Sequence, residues 1–179
     1  MTKEEFIIET SKLGIKLTDK QINQLEQFYN LLIEWNEKIN LTRITSKEEV
    51  YLKHFYDSLT ISKVINLKNS KTLCDVGTGA GFPGIVLKIV YPNLKITLVD
   101  ALQKRVNYLN TIIKELNLDG ITAIHARGED LKEKYDVDTC IDEKEKLEQL
   151  VKDIMENCYK LDVPLVVEMS SGKNWYEAK

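Results

Sequence analysis

The stretch DVGTGAGFPG at residues 75–84 constrains the fold of this chain most strongly, because four of its ten residues are glycine. An apolar run at 72–76 precedes it, and an apolar helical pattern at 83–90 follows it. Glycine allows positive φ angles and lets a ligand approach the backbone closely. A helix that starts after such a loop also presents free backbone N–H groups. The stretch therefore predicts a ligand-binding turn between a strand and a helix.

Strand and helix patterns alternate from residue 71 onward, whereas the first 69 residues carry apolar side chains at helical spacing. Alternation with short connections predicts an α/β fold with a parallel sheet, whose ligand lies beyond the carboxyl ends of the strands. The first part predicts a helical arm, with a capping box at Thr18 and Gln21 and a later helix that starts near Ser46. The predicted strands are 72–76, 95–99 with Asp100 at its end, 121–125 and 135–139, and the predicted helices include 59–65, 83–90 and 104–116.

Composition limits the class of protein. The chain has 179 residues, 43% of them hydrophobic and 30% charged, which is typical of one folded domain. No apolar run approaches the roughly 20 residues that cross a bilayer, so we expect a cytoplasmic protein without a membrane segment. The three cysteines form no C-x-x-C pair, so we expect no metal site. The net charge of -3 does not indicate a nucleic-acid-binding protein. Any contact with nucleic acid would need a local basic patch, for which the candidates are Lys38, Arg43, Lys47, Lys53, Lys104 and Arg105.

The glycine stretch fits two cofactor signatures that exclude each other. Gly77–Gly81 has the form of a loop that binds S-adenosylmethionine (SAM), whereas Gly79, Gly81 and Gly84 match the G-x-G-x-x-G fingerprint of dinucleotide enzymes. A dinucleotide would bring an anionic pyrophosphate to the loop, and SAM would bring a sulfonium and an ammonium group. Asp75 would repel the anion and attract the two cations. The charge pattern therefore favours SAM, with an NAD-dependent oxidoreductase as the alternative.

Two further positions define the extent of the loop. Pro83 suits the first position of a helix because its ring fixes φ and it lacks an N–H group. The loop then ends near Phe82 and Gly84 lies inside the helix, which agrees with the SAM interpretation. Asp100, at the end of the next strand, can accept hydrogen bonds from the ribose hydroxyls of either cofactor, so it does not separate them.

Five ordered sequence motifs occur between residues 40 and 130. They are NLTRIT at 40–45, HFYDSL at 54–59, DVGTGAGFPGIVL at 75–87, LVDALQKRVNYL at 98–109 and RGED at 127–130. Together they resemble the RsmG family, also called GidB, and the resemblance covers roughly residues 1–137. The resemblance implies a Rossmann-like class I SAM-dependent methyltransferase that makes N7-methylguanine in 16S ribosomal RNA. It further implies that SAM is the cofactor and that 16S ribosomal RNA or the small ribosomal subunit is the partner, and we expect a monomer.

The same resemblance implies the site residues. Gly77, Gly79 and Phe82 would contact SAM, Asp100 would bind its ribose, and Gly128 with Glu129 would lie beside the adenine. Guanine N7 carries a free lone pair, so its methylation requires no nucleophilic side chain, and the sequence identifies no catalytic residue. The predicted cofactor-binding residues are Gly77, Gly79, Phe82, Asp100, Gly128 and Glu129.

A polar trio lies in the helical arm. His54, Asp57 and Ser58 are spaced to share one helix face. In one interpretation they orient the arm or the target base, and in the other they form a hydrogen-bonded polar cluster on the helix. The spacing leaves both interpretations open. His125, on the third strand, is predicted to be a hydrogen-bonded structural histidine.

The last part of the sequence departs from the RsmG pattern. After residue 137 it reads DTCIDEKEK, without the arginine of the family, and residues 141–179 resemble the C-terminus of bacterial DNA polymerase I. We therefore expect a sheet that is truncated at its C-terminal end and a chain built as a chimera. The predicted divisions are an arm at 1–69, a SAM-binding domain at 70–140 and the tail at 141–179. An inactive, truncated or fused SAM-binding domain is accordingly a second functional hypothesis.

Overall fold

The computed structural model describes residues 1–68 and 72–127. Its first part is the predicted helical arm. Thr18 and Gln21 form the predicted capping box, and the Ser46 hydroxyl accepts a hydrogen bond from the Glu49 N–H group at the start of a later helix. The elements of the arm are α1 (Lys3–Lys12), α2 (Asp19–Ile39), α3 (Lys47–Val50), a π-helical segment (Tyr51–Tyr56), α4 (Asp57–Thr60) and a 3₁₀ turn (Ile61–Lys63).

The helix predicted over 59–65 is wrong in its bounds, because α4 ends at Thr60 and a short 3₁₀ turn follows. The Thr60 hydroxyl donates to the Asp57 carbonyl at 2.6 Å, and the Ser62 hydroxyl donates to the Leu59 carbonyl at 2.7 Å. Hydroxyl side chains that bond to the backbone in this way compete with regular helix hydrogen bonds. The local chemistry is therefore consistent with an early end of the helix.

Three parallel strands form a sheet in the order β1 (Thr72–Val76), β2 (Lys95–Asp100) and β3 (Ile121–His125). They confirm the predicted strands at 72–76, 95–99 and 121–125, and the strand predicted at 135–139 lies outside the described residues. The connecting helices are α5 (Gly84–Val90) and α6 (Gln103–Glu115). This arrangement is a Rossmann-like α/β fold with N-terminal helices. Within residues 1–68 and 72–127, no helix is both long and apolar enough to pass through a membrane.

Side-chain amides of α2 connect the arm to the sheet layer. The Gln21 Nε2 atom donates to the carbonyls of Ile89 and Val90 at 3.0 and 2.9 Å, and Gln24 Nε2 donates to the Leu116 carbonyl at 2.8 Å. These carbonyls lie at the C-terminal ends of α5 and α6, where helix carbonyls have no partner within their own helix. The arm therefore satisfies backbone groups of the sheet layer.

Aromatic contacts extend the same interface. The Phe28 ring of α2 packs 5.3 Å from the Phe82 ring of the glycine loop, and Trp35 packs 5.7 Å from Tyr108 of α6. Phe28 and Tyr108 are fully buried. The apolar core thus continues from the arm into the loop that follows β1.

Candidate cofactor-binding site

The loop after β1 contains two glycines that are required by their backbone conformation. Gly77 and Gly79 have φ angles of 76° and 57°, in the left-handed region that side chains disfavour. The N–H groups of Gly77 and Thr78 both donate to the Val99 carbonyl, at 2.8 and 3.1 Å, which fixes the turn at the end of β2. A Cβ atom on Gly77 would meet nothing within 4 Å, and one on Gly79 would meet only the Gly77 carbonyl at 3.9 Å. This side of the loop faces open space.

The other two glycines of the loop face the protein. A Cβ atom on Gly81 would lie 3.0 Å from Ile85 Cγ1 and 3.2 Å from Leu109 Cδ2, and one on Gly84 would collide with Leu98. In the dinucleotide fingerprint the second glycine lets the pyrophosphate approach the backbone. Here that glycine is Gly81, which packs inward, so the geometry disfavours the dinucleotide interpretation.

Asp75 serves the loop itself. Its side chain is buried, and Oδ2 accepts hydrogen bonds from the Thr78 hydroxyl at 2.7 Å and the Gly84 N–H group at 2.9 Å. Burial raises the pKa of the Asp75 carboxyl, and these two hydrogen bonds oppose part of that rise. The carboxylate therefore stabilises the start of α5 and does not face a ligand. The argument that Asp75 selects SAM by its charge is thus not supported. Pro83 precedes the helix as its N-cap, and Gly84 lies within the helix as predicted.

Asp100, at the carboxyl end of β2, is joined to the glycine loop. Its Oδ2 atom accepts a hydrogen bond from the Gly79 N–H group at 3.0 Å, and Oδ1 accepts one from the Leu102 N–H group at 2.8 Å. Arg105 forms an ion pair with the same carboxylate at 3.5 Å. Asp100 and Gly79, both predicted site residues, are thus brought together.

Phe82 closes the loop on the side of the arm. Its ring stacks on the His54 imidazole, with 4.4 Å between centroids and 10° between planes. The His54 Nε2 atom lies 3.1 Å from the Thr42 hydroxyl oxygen. Burial lowers the pKa of His54, and the charge of Asp57 opposes part of that shift. A neutral imidazole therefore connects the NLTRIT segment to the glycine loop.

The π-helical segment positions this imidazole. It places Phe55 in the fully buried core, while the adjacent His54 reaches Phe82. Such segments insert an extra residue into a helical turn and are frequent at functional sites. The Ser58 hydroxyl donates to the His54 carbonyl at 2.5 Å, so Ser58 bonds to the helix backbone and does not join the imidazole.

Two contacts of the site have no signal in the sequence. Thr42 lies in a motif of the resemblance, but nothing in the sequence pairs it with His54. The second contact is made by Tyr108, whose hydroxyl donates to the Ala80 carbonyl of the loop at 3.3 Å. Both contacts join positions far apart in sequence, so periodicity gives no signal for them.

The remaining predicted residues have simpler outcomes. His125 is a hydrogen-bonded structural residue as predicted, since its Nε2 atom lies 3.0 Å from the Ala101 carbonyl. Gly128 and Glu129 lie outside the described residues. In the described part of the chain, no group of three or more His, Cys, Asp or Glu residues could hold a metal ion.

The family of the chain is settled by comparison with known proteins. The GidB family, described as rRNA small subunit methyltransferase G, matches residues 21–142. The chain belongs to the GidB family. Similar proteins named ribosomal RNA small subunit methyltransferase G occur in Leuconostoc mesenteroides (54% identical over 133 residues), Staphylococcus saprophyticus (51% over 131) and Bacillus velezensis (48% over 137).

These relatives are longer than the matched region. The alignments cover 73%, 70% and 76% of this chain but 56%, 55% and 57% of the respective relatives. The chain therefore spans just over half the length of the GidB relatives it matches. The family match ends at residue 142, so the tail predicted at 141–179 lies almost entirely outside it, and its resemblance to a polymerase stays a prediction.

Proposed function

We propose that this GidB chain binds SAM at the glycine loop and methylates N7 of a guanine in 16S ribosomal RNA of the small ribosomal subunit. The names of its relatives support an RNA substrate in the small subunit. The observation that carries the proposal is the open face of the loop at Gly77 and Gly79, where a Cβ atom would meet at most one backbone oxygen. The proposal includes methyl-transfer activity of this chain, although it spans just over half the length of its relatives.

The residues present fit SAM. The open glycines leave room for a ligand against the backbone at the end of β1, and the buried Asp100 carboxylate lies at the end of β2, where a ribose would meet it. Asp100 already accepts two backbone hydrogen bonds, and each carboxylate oxygen has two lone pairs, so it retains acceptor capacity. When bound, SAM supplies an electrophilic methyl group.

The chain's own task is to position the reactants. The lone pair of guanine N7 would form the new bond to the methyl carbon while the sulfur–methyl bond of SAM breaks and its electron pair stays on sulfur, so no side chain would have to remove a proton first. Reactants held in line, with water excluded, react faster because their orientation is fixed in advance. The Phe82 ring, held by His54 and the core of the arm, forms an apolar wall beside the loop that suits this role.

Calorimetric titration of the purified chain with SAM or its demethylated product tests the cofactor. Binding at micromolar to low millimolar ligand is expected, and no heat at millimolar ligand would rule out the proposed site. Transfer of a radiolabelled methyl group to small subunits that lack the modification then tests the reaction. The control is the Gly77→Ala variant, whose added methyl group faces the open side of the loop.

The second functional hypothesis drawn from the sequence, a SAM-binding domain without transfer activity, is the alternative against which the proposal is tested. The two functions separate in the same experiments. Binding without label on the RNA supports the second, and binding with label supports the first.

A further inference from the structure

The six basic residues that the sequence identifies as candidate RNA contacts differ in their pairing. Lysine and arginine side chains that are bound to carboxylates have part of their charge neutralised, so they attract phosphate less strongly. Four of the six are paired in this way: Lys38 with Glu34 at 2.7 Å, Lys47 with Glu26, Lys53 with Glu49 at 2.6 Å, and Arg105 with Asp100 at 3.5 Å.

Arg43 and Lys104 are the other two. Both are exposed, and neither side chain makes a hydrogen bond or an ion pair with any residue in 1–68 and 72–127. An unpaired guanidinium or ammonium group on the surface keeps its full charge and all its donors for an external anion. The local basic patch is therefore reduced to two positions.

The backbone that carries Arg43 is held in place on both sides. The Asn36 Oδ1 atom accepts hydrogen bonds from the N–H groups of Leu41 and Thr42 at 2.7 and 2.8 Å, and the Ile44 N–H group donates to the Thr42 hydroxyl at 3.1 Å. A cation on a pre-ordered backbone loses less entropy when it binds a ligand. The segment thus presents Arg43 from a fixed position.

Both positions are linked to the glycine loop. Arg43 follows Thr42, whose hydroxyl contacts the imidazole of His54 that stacks on Phe82. Lys104 lies in the first turn of α6, four residues after Asp100, whose carboxylate accepts a hydrogen bond from the Gly79 N–H group. Short chain segments and contacts therefore connect both residues to the glycine loop, Arg43 through Thr42 and the arm, and Lys104 through the end of β2.

We propose that Arg43 and Lys104 bind phosphate groups of the RNA backbone and so dock the substrate over the glycine loop. This inference rests on the proposed function, because it takes the ligand of the loop's open face to be the methyl donor. Phosphate contacts fix the register and orientation of a nucleic acid without reading its bases. Arg43 and Lys104 are positioning contacts for the RNA, while selection of the guanine depends on other groups.

The test measures RNA binding separately from SAM binding. A fluorescent fragment of 16S ribosomal RNA is titrated with the full chain at several salt concentrations, using fluorescence anisotropy. Arg43→Ala and Lys104→Ala are each expected to weaken binding roughly fivefold and to reduce the slope of log K against log salt by about 0.7. The ion-paired controls Lys38→Ala and Lys53→Ala are expected to change affinity less than twofold.

Each outcome of this titration either supports or overturns the docking proposal. Equal effects of Arg43→Ala and Lys53→Ala, or an unmodified chain that binds no RNA at low salt, would overturn the docking proposal. Arg43→Lys keeps the charge and is expected to restore most of the affinity, whereas an affinity as low as that of Arg43→Ala would overturn the assignment of Arg43 as a phosphate contact. Calorimetry with SAM, expected to be unchanged in these variants, shows independently whether the proposed function has failed.

Discussion

The imidazole of His54 lies parallel to the ring of Phe82, 4.4 Å away between centroids, so a side chain of the arm covers one face of the glycine loop. Phe82 also packs against Phe28, 5.3 Å between centroids, which is fully buried in the arm. The position of Phe82 is thus set from two sides by the arm. Perturbing the arm should therefore be felt at the loop.

Removing the stacking partner is expected to loosen Phe82. His54→Ala should lower the free energy of unfolding by about 1 to 3 kcal/mol, because it loses an aromatic contact and leaves a gap beside Phe82. SAM affinity should fall severalfold as well. Urea unfolding and calorimetric titration measure the two effects.

His54→Phe keeps the stacked ring and removes the contact with Thr42, so it is the matched control. It should retain most of the SAM affinity that His54→Ala loses. If both variants lose affinity equally, the stacking does not position the loop.

Acid is expected to destabilise the fold through His54. Its pKa is lowered by burial from the ordinary value of 6.5, so below that pH the unfolded chain binds a proton that the folded chain resists. Stability contributed by the neutral imidazole is thus complete above pH 6.5 and declines as the pH falls from 6.5 toward the lower folded pKa. Urea unfolding between pH 8 and pH 5 should show this decline in the native chain.

The His54→Phe variant isolates the effect of His54, because its residue 54 has no titratable group. The difference in unfolding free energy between the two proteins should change with pH in that window alone. A difference that is flat from pH 8 to pH 5 would assign the acid sensitivity to other groups.

Substitution of Gly77, in the loop, and of Gly84, at the start of α5, should have different consequences for ligand binding. Gly84→Ala places a methyl group against the buried side chains of Leu98 and Asp75, and overpacking of this kind costs roughly 1 to 3 kcal/mol of stability. Gly77→Ala meets no atom within 4 Å but strains a backbone with φ of 76°, at about 1 to 2 kcal/mol, and its methyl group faces the open side.

SAM binding separates these two variants. Gly77→Ala should lose affinity at least tenfold while it remains folded, whereas Gly84→Ala should show mainly a lower melting temperature. Unchanged SAM affinity in a folded Gly77→Ala protein would mean that the ligand does not approach the loop at this glycine.

Asp100→Asn is expected to disturb both the loop and the ligand. One oxygen that accepts a hydrogen bond from Gly79 or Leu102 is replaced by an amide nitrogen that cannot accept it, and Arg105 loses its ion pair. A buried N–H group left without its partner costs about 1 to 3 kcal/mol, and these partly buried groups should cost less because water reaches them. SAM affinity should fall well beyond what the loss of stability explains.

The control for Asp100→Asn is Glu37→Gln, which neutralises an exposed carboxylate of the arm. It should leave melting temperature and SAM affinity within error of the native chain. Comparable losses in both variants would show that the overall charge, and not the bonds of Asp100, sets the affinity.

Local signals made much of the fold predictable. The apolar run at 72–76 is bounded by a polar segment and a glycine loop, and it forms β1 with the predicted bounds. Thr18 and Gln21 are three residues apart, so their capping box could be recognised from the sequence. Features of this kind depend on neighbours within one turn, which a sequence pattern records directly.

Other features depend on packing between distant residues. The sequence of Tyr51–Tyr56 is compatible with an ordinary α-helix, and the π-helical form occurs where Phe55 enters the core beside His54. The sequence also shows an acid at Asp75 without showing that Thr78 and Gly84 bind it. Which glycine of the loop faces outward is likewise decided by Ile85 and its neighbours and not by the glycine pattern.

The packing of Phe82 against the arm links ligand occupancy of the loop thermodynamically to the stability of the arm. A molecule that binds the native loop and not the unfolded chain stabilises everything that unfolds together with that loop. Amide protons of α2, which carries Phe28, should then exchange more slowly with solvent when the loop is occupied. The arm would report on the cofactor through its hydrogen exchange, although the glycines lie in another part of the chain.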